Sequence, residues 1–256
     1  MTPPEYPKGH DLLRGKNVLI TAAAGTGIGY ATARRCLEEG ASVLISDHHP
    51  ERLEKAADKL ADFGDTSSAI CDVTKEDQVQ ALVATAEAVF GGIDIWINNA
   101  GLGGSSHVID MTDEQWHRVL DVTLTGTFRC MRAAMKHMQK QRHGVIINNA
   151  SVLGWRAQKQ QAHYAAAKAG VMALTRCAAL EAADFGVRIN AVAPSLAMHP
   201  FLSKVIDEDT LEQMTKQEAF GRSAEVWEVS NVMVFLASDL SSYMTGETVS
   251  VSNQRA

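Results

Sequence analysis

Asn17-Val-Leu-Ile-Thr21-Ala-Ala-Ala-Gly25-Thr-Gly27-Ile-Gly29 is the stretch on which the fold turns. A short apolar run opens it, three glycines at alternate positions close it, and a helical pattern, Ile28–Glu39, follows. In a strand–glycine turn–helix unit the bare backbone can approach a pyrophosphate, while the helix start offers free N–H groups and the positive dipole end. Thr21, Gly25, Thr26, Gly27, Ile28 and Gly29 are therefore candidate cofactor-binding residues. Alone the turn is a weak signal, because glycines also make ordinary strand–helix turns. Its surroundings have to decide.

Outward from this unit, short apolar runs alternate with longer helical patterns. The strand candidates are Asn17–Thr21, Ser42–Ser46, Ser67–Cys71, Ile93–Asn98, Val145–Asn149, Val187–Ala193 and Glu247–Val251. Several are nearly continuous apolar runs, the mark of strands covered on both faces. The helix candidates are Ile28–Glu39, Glu51–Asp62, Lys75–Phe90, Asp113–Gln139, Ala162–Phe185 and Ala224–Leu236. Gly40, Gly64, Gly91 and Gly186 stand where four of them stop, as expected of the residue that tolerates a left-handed end. The alternation predicts an α/β fold: one doubly wound parallel sheet of about seven strands, flanked by helices and joined by right-handed crossovers. Ligands bind beyond the carboxyl ends of such strands.

The bulk numbers agree. A chain of 256 residues with 46% hydrophobic content supports one substantial core. A net charge of −6 offers no basic field for a nucleic acid. No run approaches the roughly eighteen apolar residues of a membrane span. Residues 1–13 read as a surface arm, with three prolines and no apolar signal stretch, and 14–256 as the single domain. Cys36, Cys71, Cys130 and Cys177 lie far apart, fit no zinc pattern, and read as small buried residues in a reducing cytoplasm. No metal site is expected.

Asp47 closes the second strand about twenty residues after the glycines, where a carboxylate can accept from both ribose hydroxyls of NAD and repel a 2′-phosphate. No Arg or Lys occupies the glycine loop or the two positions after Asp47, His48 and His49, which read as solvated loop residues. NAD is thus expected over NADP. Farther on, Tyr164-Ala-Ala-Ala-Lys168 puts a phenol and an ammonium on one helix face. A free phenol is a poor base at neutral pH, and a neighbouring ammonium together with a positive nicotinamide favours its ionised form. Ser151 ends an apolar strand thirteen residues before Tyr164 and is placed to bond a substrate oxygen. The spacing of Tyr164 and Lys168 is common on solvated helices; the strand end at Ser151 is what tips the balance.

Together these residues resemble the short-chain dehydrogenase/reductase family over nearly the whole chain, through the glycine loop, Cys71-Asp72-Val73-Thr74, Asn98-Asn99-Ala100-Gly101, Ser151, Tyr164/Lys168 and Arg188-Ile-Asn-Ala-Val-Ala-Pro194. The resemblance implies a single-domain Rossmann fold and an NAD-dependent oxidoreductase interconverting a secondary alcohol and a ketone. It implies that Tyr164 is the acid/base, Ser151 the orienter, and Lys168 the partner that also holds the nicotinamide ribose. By the same resemblance Asp72 and Val73 meet the adenine, the turn of Asn99, Ala100 and Gly101 passes under the adenosine ribose, and Pro194 lines the nicotinamide. A homotetramer, paired through the helices that carry Thr123 and Tyr164, is implied too.

Four positions depart from the family pattern. The glycine loop is one residue longer, with Ala22 where the first glycine normally sits. Thr123 replaces the usual Asn of the proton relay, with a hydroxyl able to hold a water but no amide. Ser195 follows Pro194 in place of glycine. His199 stands where a Thr often holds the nicotinamide amide, and either replaces that bond or faces solvent.

Within the family, the glycine loop, Ser46-Asp-His-His49, Asn148-Asn-Ala-Ser-Val-Leu-Gly-Trp155-Arg156 and the stretch from His163 to Cys177 look like one subgroup. It comprises dehydrogenases of late steroid (cholesterol) ring degradation, acting on a hydroxy-methyl-oxo-hexahydroindene-carboxyl-CoA. That resemblance implies a CoA thioester substrate. Trp155 would pack on the fused rings and Arg156 meet a thioester oxygen or CoA phosphate, unless the two serve subunit packing or ion pairs. Segment 196–220 reads as a substrate lid or an ordinary amphipathic helix. Two alternatives remain: a 3-oxoacyl-thioester reductase, which Asp47 opposes, and a catalytically silent nucleotide sensor, which Ser151, Tyr164 and Lys168 oppose.

Overall fold

Seven parallel strands form the central sheet of the computed structural model, which describes residues 1–200, 202 and 208–253. They are β1 (Asn17–Thr21), β2 (Ser42–Asp47), β3 (Thr66–Ile70), β4 (Ile95–Asn98), β5 (Gly144–Asn149), β6 (Val187–Pro194) and, after the short pair β7 (Ala197–Met198) and β8 (Ala224–Glu225), β9 (Thr248–Val251). The order is β3-β2-β1-β4-β5-β6-β9, so the winding reverses at β1, which pairs with β2 on one side and β4 on the other. The expected runs are the observed strands, shifted at their ends by one or two residues. β7 and β8, two residues each, were not foreseen.

The helices are α1 (Ile28–Glu38), α2 (Pro50–Leu60), α3 (Glu76–Phe90), α4 (Asp113–Leu120), α5 (Gly126–Gln141), α6 (Ala162–Ala183), α7 (Glu208–Lys216) and α8 (Val226–Ala237). α1, α2 and α8 cover one face of the sheet, where Val18, Ile20, Ile45 and Ile97 meet Val229 and Met233. On the other face Leu19, Leu44, Trp96 and Ile146 meet Leu82, Ala134 and Ala182 of α3, α5 and α6. This is the two-sided burial that continuous apolar strands require.

The single helix expected over Asp113–Gln139 is observed as one unbroken helical run, α4 continuing into α5 through a wide π-turn at Asp121–Thr125 that the sequence reading did not foresee. Gly126 follows the turn, and a Cβ there would lie 2.7 Å from Val73 Cγ2, so the close approach of this helix to the β3 loop requires glycine. Such turns recur at functional sites. The start of α4 is locally encoded, with Thr112 and Gln115 forming a reciprocal cap.

A buried polar chain fixes α6 to the sheet. Trp96 Nε1 donates to Asn98 Oδ1 (2.8 Å), Asn98 Nδ2 to Asn148 Oδ1 (2.8 Å), Asn148 Nδ2 to Thr175 Oγ1 (2.8 Å), and Thr175 Oγ1 to the Val171 carbonyl (2.8 Å). Because each link is satisfied, it rigidifies rather than strains the core. The N-terminal arm is also pinned. Tyr6 donates to Glu38 and stacks edge-on against Trp227, while the buried Glu39 accepts from the His10 and Leu12 amides. Cys36, Cys71 and Cys130 are buried, and burial pushes the Cys36 and Cys71 thiols up to about 12. Cys177 is exposed, against expectation, because it lies on the outer face of α6.

Candidate active site

All seven strands run the same way, so their carboxyl ends share one edge, and the candidate residues gather there. Gly27 precedes α1 without a side-chain cap, and the first turn of α1 holds no acid, leaving its N–H groups unopposed. A Cβ on Gly29 would lie 2.4 Å from Asn99 Nδ2 and 2.7 Å from the Ala22 carbonyl, so only glycine fits. Asn99 Nδ2 donates to the Thr21 and Ala22 carbonyls, and the Asn99 and Ala100 amides donate to Thr21 Oγ1. The side chains of Thr21 and Asn99 are thus committed to tying the ends of β1 and β4. Ala22, at φ +52°, adopts the left-handed backbone that glycine would take more readily.

Asp47 ends β2, nearly buried, and accepts from the Ala24 and His49 amides. The sequence reading missed Arg52. From the first turns of α2 its Nη2 stands 3.9 Å from Asp47 Oδ1. Asp72 accepts from the Thr74 amide and hydroxyl; burial raises its carboxyl, and those two bonds more than reverse that, holding it low. Val73 is buried against α5, and Pro194 is the last residue of β6. The uncapped helix start, the glycine cradle and the carboxylate at the β2 end fit a nicotinamide dinucleotide. So does Asn149 Oδ1, a buried acceptor with no partner among the described residues.

Ser151, Tyr164 and Lys168 converge. Ser151 lies just beyond β5 in extended conformation; its Oγ accepts from the Leu153 amide at 3.2 Å, and its hydroxyl lies near enough to the Tyr164 phenol to favour the ionised form. Tyr164 sits in the first turn of α6, and Lys168 Nζ lies 5.6 Å from its ring centre. Lys168 is buried and donates to the Asn149 carbonyl, a partner that the sequence pattern did not reveal. The protein's own groups do not by themselves produce the expected lowering of the phenol. Burial raises Tyr164, only partly offset by the nearby Ser151 hydroxyl, and burial pulls Lys168 down to about 8. Removing both groups from water disfavours both charged forms.

Thr123 lies in the π-turn, fully buried. Its Oγ1 accepts from the Leu102 amide (2.9 Å) and donates to the Leu102 carbonyl (3.1 Å). Its one proton is therefore engaged by the backbone rather than free for a relay water. It clamps the loop after β4 so that the bare Cα of Gly101 faces Lys168, where a Cβ would lie 3.4 Å from Nζ. Thr123→Val should lower turnover about tenfold through a misplaced Lys168. It should also cost about 1–3 kcal/mol for each Leu102 group left unpaired. Thr123→Ser should restore both. Steady-state rates and thermal midpoints check this, and a Val variant equal to wild type in both would refute the clamp.

On the substrate side, Trp155 is half-exposed and Arg156 Nη2 reaches Ser252 Oγ at 3.4 Å. The His199 ring lies over the glycine loop, 3.9 Å from where a Gly27 Cβ would stand, rather than facing solvent, and burial lowers its basicity. Ser195 Oγ donates to the buried Glu218 at 3.4 Å. The segment from Leu196 to Phe220 is held at its base by β7 and β8, joined by the Ala224 amide to the Leu196 carbonyl (2.8 Å). Within the expected lid, Phe201 and residues 203–207 lie outside the described residues.

The chain as a whole is similar to known proteins. The chain matches the family model described as enoyl-(acyl carrier protein) reductase over residues 22–253. It is 58% identical, over 254 residues covering 98% of this chain and 97% of the other, to the (5R,7aS)-5-hydroxy-7a-methyl-1-oxo-2,3,5,6,7,7a-hexahydro-1H-indene-carboxyl-CoA reductase of Mycobacterium tuberculosis strain H37Rv. The crystal structure of a short chain dehydrogenase from Mycobacterium smegmatis is 56% identical, with a TM-score of 0.89 over 100% of this chain and 99% of that one. NAD+-bound xylitol dehydrogenase is 33% identical, with a TM-score of 0.89 over 94% of this chain and 99% of that one.

Proposed function

Since the chain belongs to the short-chain dehydrogenase/reductase family, an oxidoreductase family that uses nicotinamide cofactors, we propose that it interconverts a ring hydroxyl and a ketone on a hydroxy-methyl-oxo-hexahydroindene-carboxyl-CoA, with NAD. The observation that carries the reading is the 58% identity to the M. tuberculosis reductase across nearly the whole of both chains. The meeting of Ser151, Tyr164 and Lys168 at the carboxyl edge of the sheet supports its chemistry.

A nicotinamide dinucleotide, when bound, supplies the carbon that gives or takes the hydride. Gly25, Thr26, Gly27, Ile28 and Gly29 would hold its pyrophosphate at the start of α1, Asp47 its adenosine ribose, and Asp72 and Val73 its adenine. Asn99, Ala100 and Gly101 would also contact that ribose, and Pro194 the nicotinamide. In the reduction direction Tyr164 donates its phenolic proton to the substrate oxygen while Ser151 hydrogen-bonds the same oxygen and fixes its position. Lys168 holds the nicotinamide ribose and stabilises the resulting phenolate. In oxidation the same phenolate takes the proton back.

Trp155 offers its exposed indole to the fused rings, and Arg156 its charge to the thioester or a CoA phosphate. The described residues of segment 196–220 serve as the substrate lid, whose role is to exclude water. The assembly is a homotetramer, supported by the exposed Phe128 on α5 and Leu180 on α6; light scattering tests it. A CoA thioester substrate places the enzyme in the cytoplasm.

The decisive experiment supplies the hexahydroindene CoA ester and follows absorbance at the NADH band. Turnover is expected. No turnover, with efficient reduction of 3-oxoacyl thioesters, would overturn the substrate assignment and leave the chemistry standing.

A further inference from the structure

Beside Tyr164 lies a polar seam that neither the fold nor the proton chemistry requires. The loop leaving β4, Gly101-Leu-Gly-Gly-Ser-Ser-His107, runs along the segment that leads into α6. Ser105 Oγ donates to Gln160 Oε1 (2.5 Å), the Ser106 amide to the Gln160 carbonyl (3.1 Å), and Gln160 Nε2 to His107 Nε2 (2.9 Å). The next residue adds Gln161 Nε2 to the Gly104 carbonyl (2.7 Å). Gln160 thus uses its backbone carbonyl and both ends of its amide on three consecutive residues. It does so at φ +65°, left-handed backbone that a non-glycine residue adopts only when its surroundings hold it there.

The seam ends against the catalytic residue. A Cβ on Gly104 would lie 2.8 Å from Nε2 of His163, the buried neighbour of Tyr164. A Cβ on Gly103 would lie 4.0 Å from Tyr164 Cδ2. Two bare glycines therefore let the loop lie flat along the start of α6. Ser105, His107 and Gln160 are exposed and bury no apolar surface, so the seam contributes placement rather than core stability.

We propose that Gln160 is a positioning residue: it buckles the 101–107 loop against the ring of Tyr164 and thereby builds the wall that sets the substrate carbon relative to the phenol. The inference rests on Tyr164 being the acid/base. It makes the loop a specificity element, since a looser wall admits the wrong approach of a bulky fused-ring substrate before it affects the dinucleotide.

Gln160→Gly tests it, because glycine keeps the left-handed backbone and removes both side-chain bonds. With the hexahydroindene CoA ester, or acetoacetyl-CoA if that is what the wild type turns over, kcat/KM should fall about tenfold, as expected for a small misplacement of substrate. NADH affinity, read by fluorescence titration, should stay at the wild-type value, and the thermal midpoint should hold within about 2 °C. Gln160→Asn, which keeps an amide and tolerates this backbone, should recover part of the loss. Ser105→Ala should move kcat/KM the same way by less and add nothing to Gln160→Gly in the double variant, because the two share one bond. Wild-type kcat/KM in Gln160→Gly, or a loss of NADH affinity equal to the loss of turnover, would overturn the proposal. Full turnover by Tyr164→Phe would instead overturn the reading on which it rests.

Discussion

Tyr164→Phe should lower turnover about 10²–10⁴-fold, the contribution of a positioned acid/base, while NAD binding is retained. The phenyl ring keeps the packing at the start of α6 and removes only the hydroxyl, which lies near Ser151. Stopped-flow or steady-state rates beside a fluorescence titration of NADH separate the two effects; undiminished turnover in this variant would sink the mechanism. The wild-type pH dependence follows from the same environment. Burial raises the phenol, so at neutral pH Tyr164 holds its proton, ready to donate in reduction and short of base for oxidation. Alcohol oxidation should therefore climb with pH, and ketone reduction should fall over the same range. Lys168, pulled down to about 8, loses its charge within that range, so the observed values belong to the pair rather than to either group. Lys168→Met should remove the step that Lys168 contributes and shift the oxidation limb upward. A flat profile in both directions would contradict this.

The second large effect is cofactor choice. NAD should exceed NADP in kcat/KM by about 10²-fold, roughly 2.8 kcal/mol at 1.4 kcal/mol per decade. The cause is the Asp47 carboxylate, nearly buried at the end of β2 and fixed by the Ala24 and His49 amides, so a 2′-phosphate would be brought against a charge that cannot swing aside. Arg52, at 3.9 Å, works in the other direction by neutralising part of that charge. Asp47→Ser should cost NAD about tenfold and narrow the preference, as Arg52 becomes free to meet the phosphate. Parallel kinetics with the two cofactors check this. A wild-type preference for NADP would show that Arg52, not Asp47, governs the site.

Much of the fold was legible because its causes are local. Continuous apolar strands, helical periodicity and glycines at the helix ends each depend on residues a few positions apart. The π-turn at Asp121–Thr125 was not legible, because nothing in the heptad-like pattern around Val122 and Leu124 distinguishes a wide turn from a regular one. It became visible only where Thr123 met Leu102 and Gly126 met Val73. The arm illustrates the same limit: its prolines suggested a surface segment, yet the carboxylate of Glu39, more than twenty residues away, pins it.

The candidate site divides along the same line. Sequence by itself determined which residues reach the carboxyl edge of the sheet, because strand ends and helix starts are set by short-range pattern and all parallel strands present the same end. Ser151, Tyr164, Lys168, Asp47 and the glycine loop follow from that. Only the tertiary structure decided what those groups experience. Burial reversed the expected direction at Tyr164, the Asn149 carbonyl claimed Lys168, Arg52 came to stand beside Asp47, and Gln160 joined a loop more than fifty residues before it to the start of α6. Desolvation and contacts between segments distant in the chain are properties of the packed molecule, and they set the charge states and the spacing on which the chemistry depends.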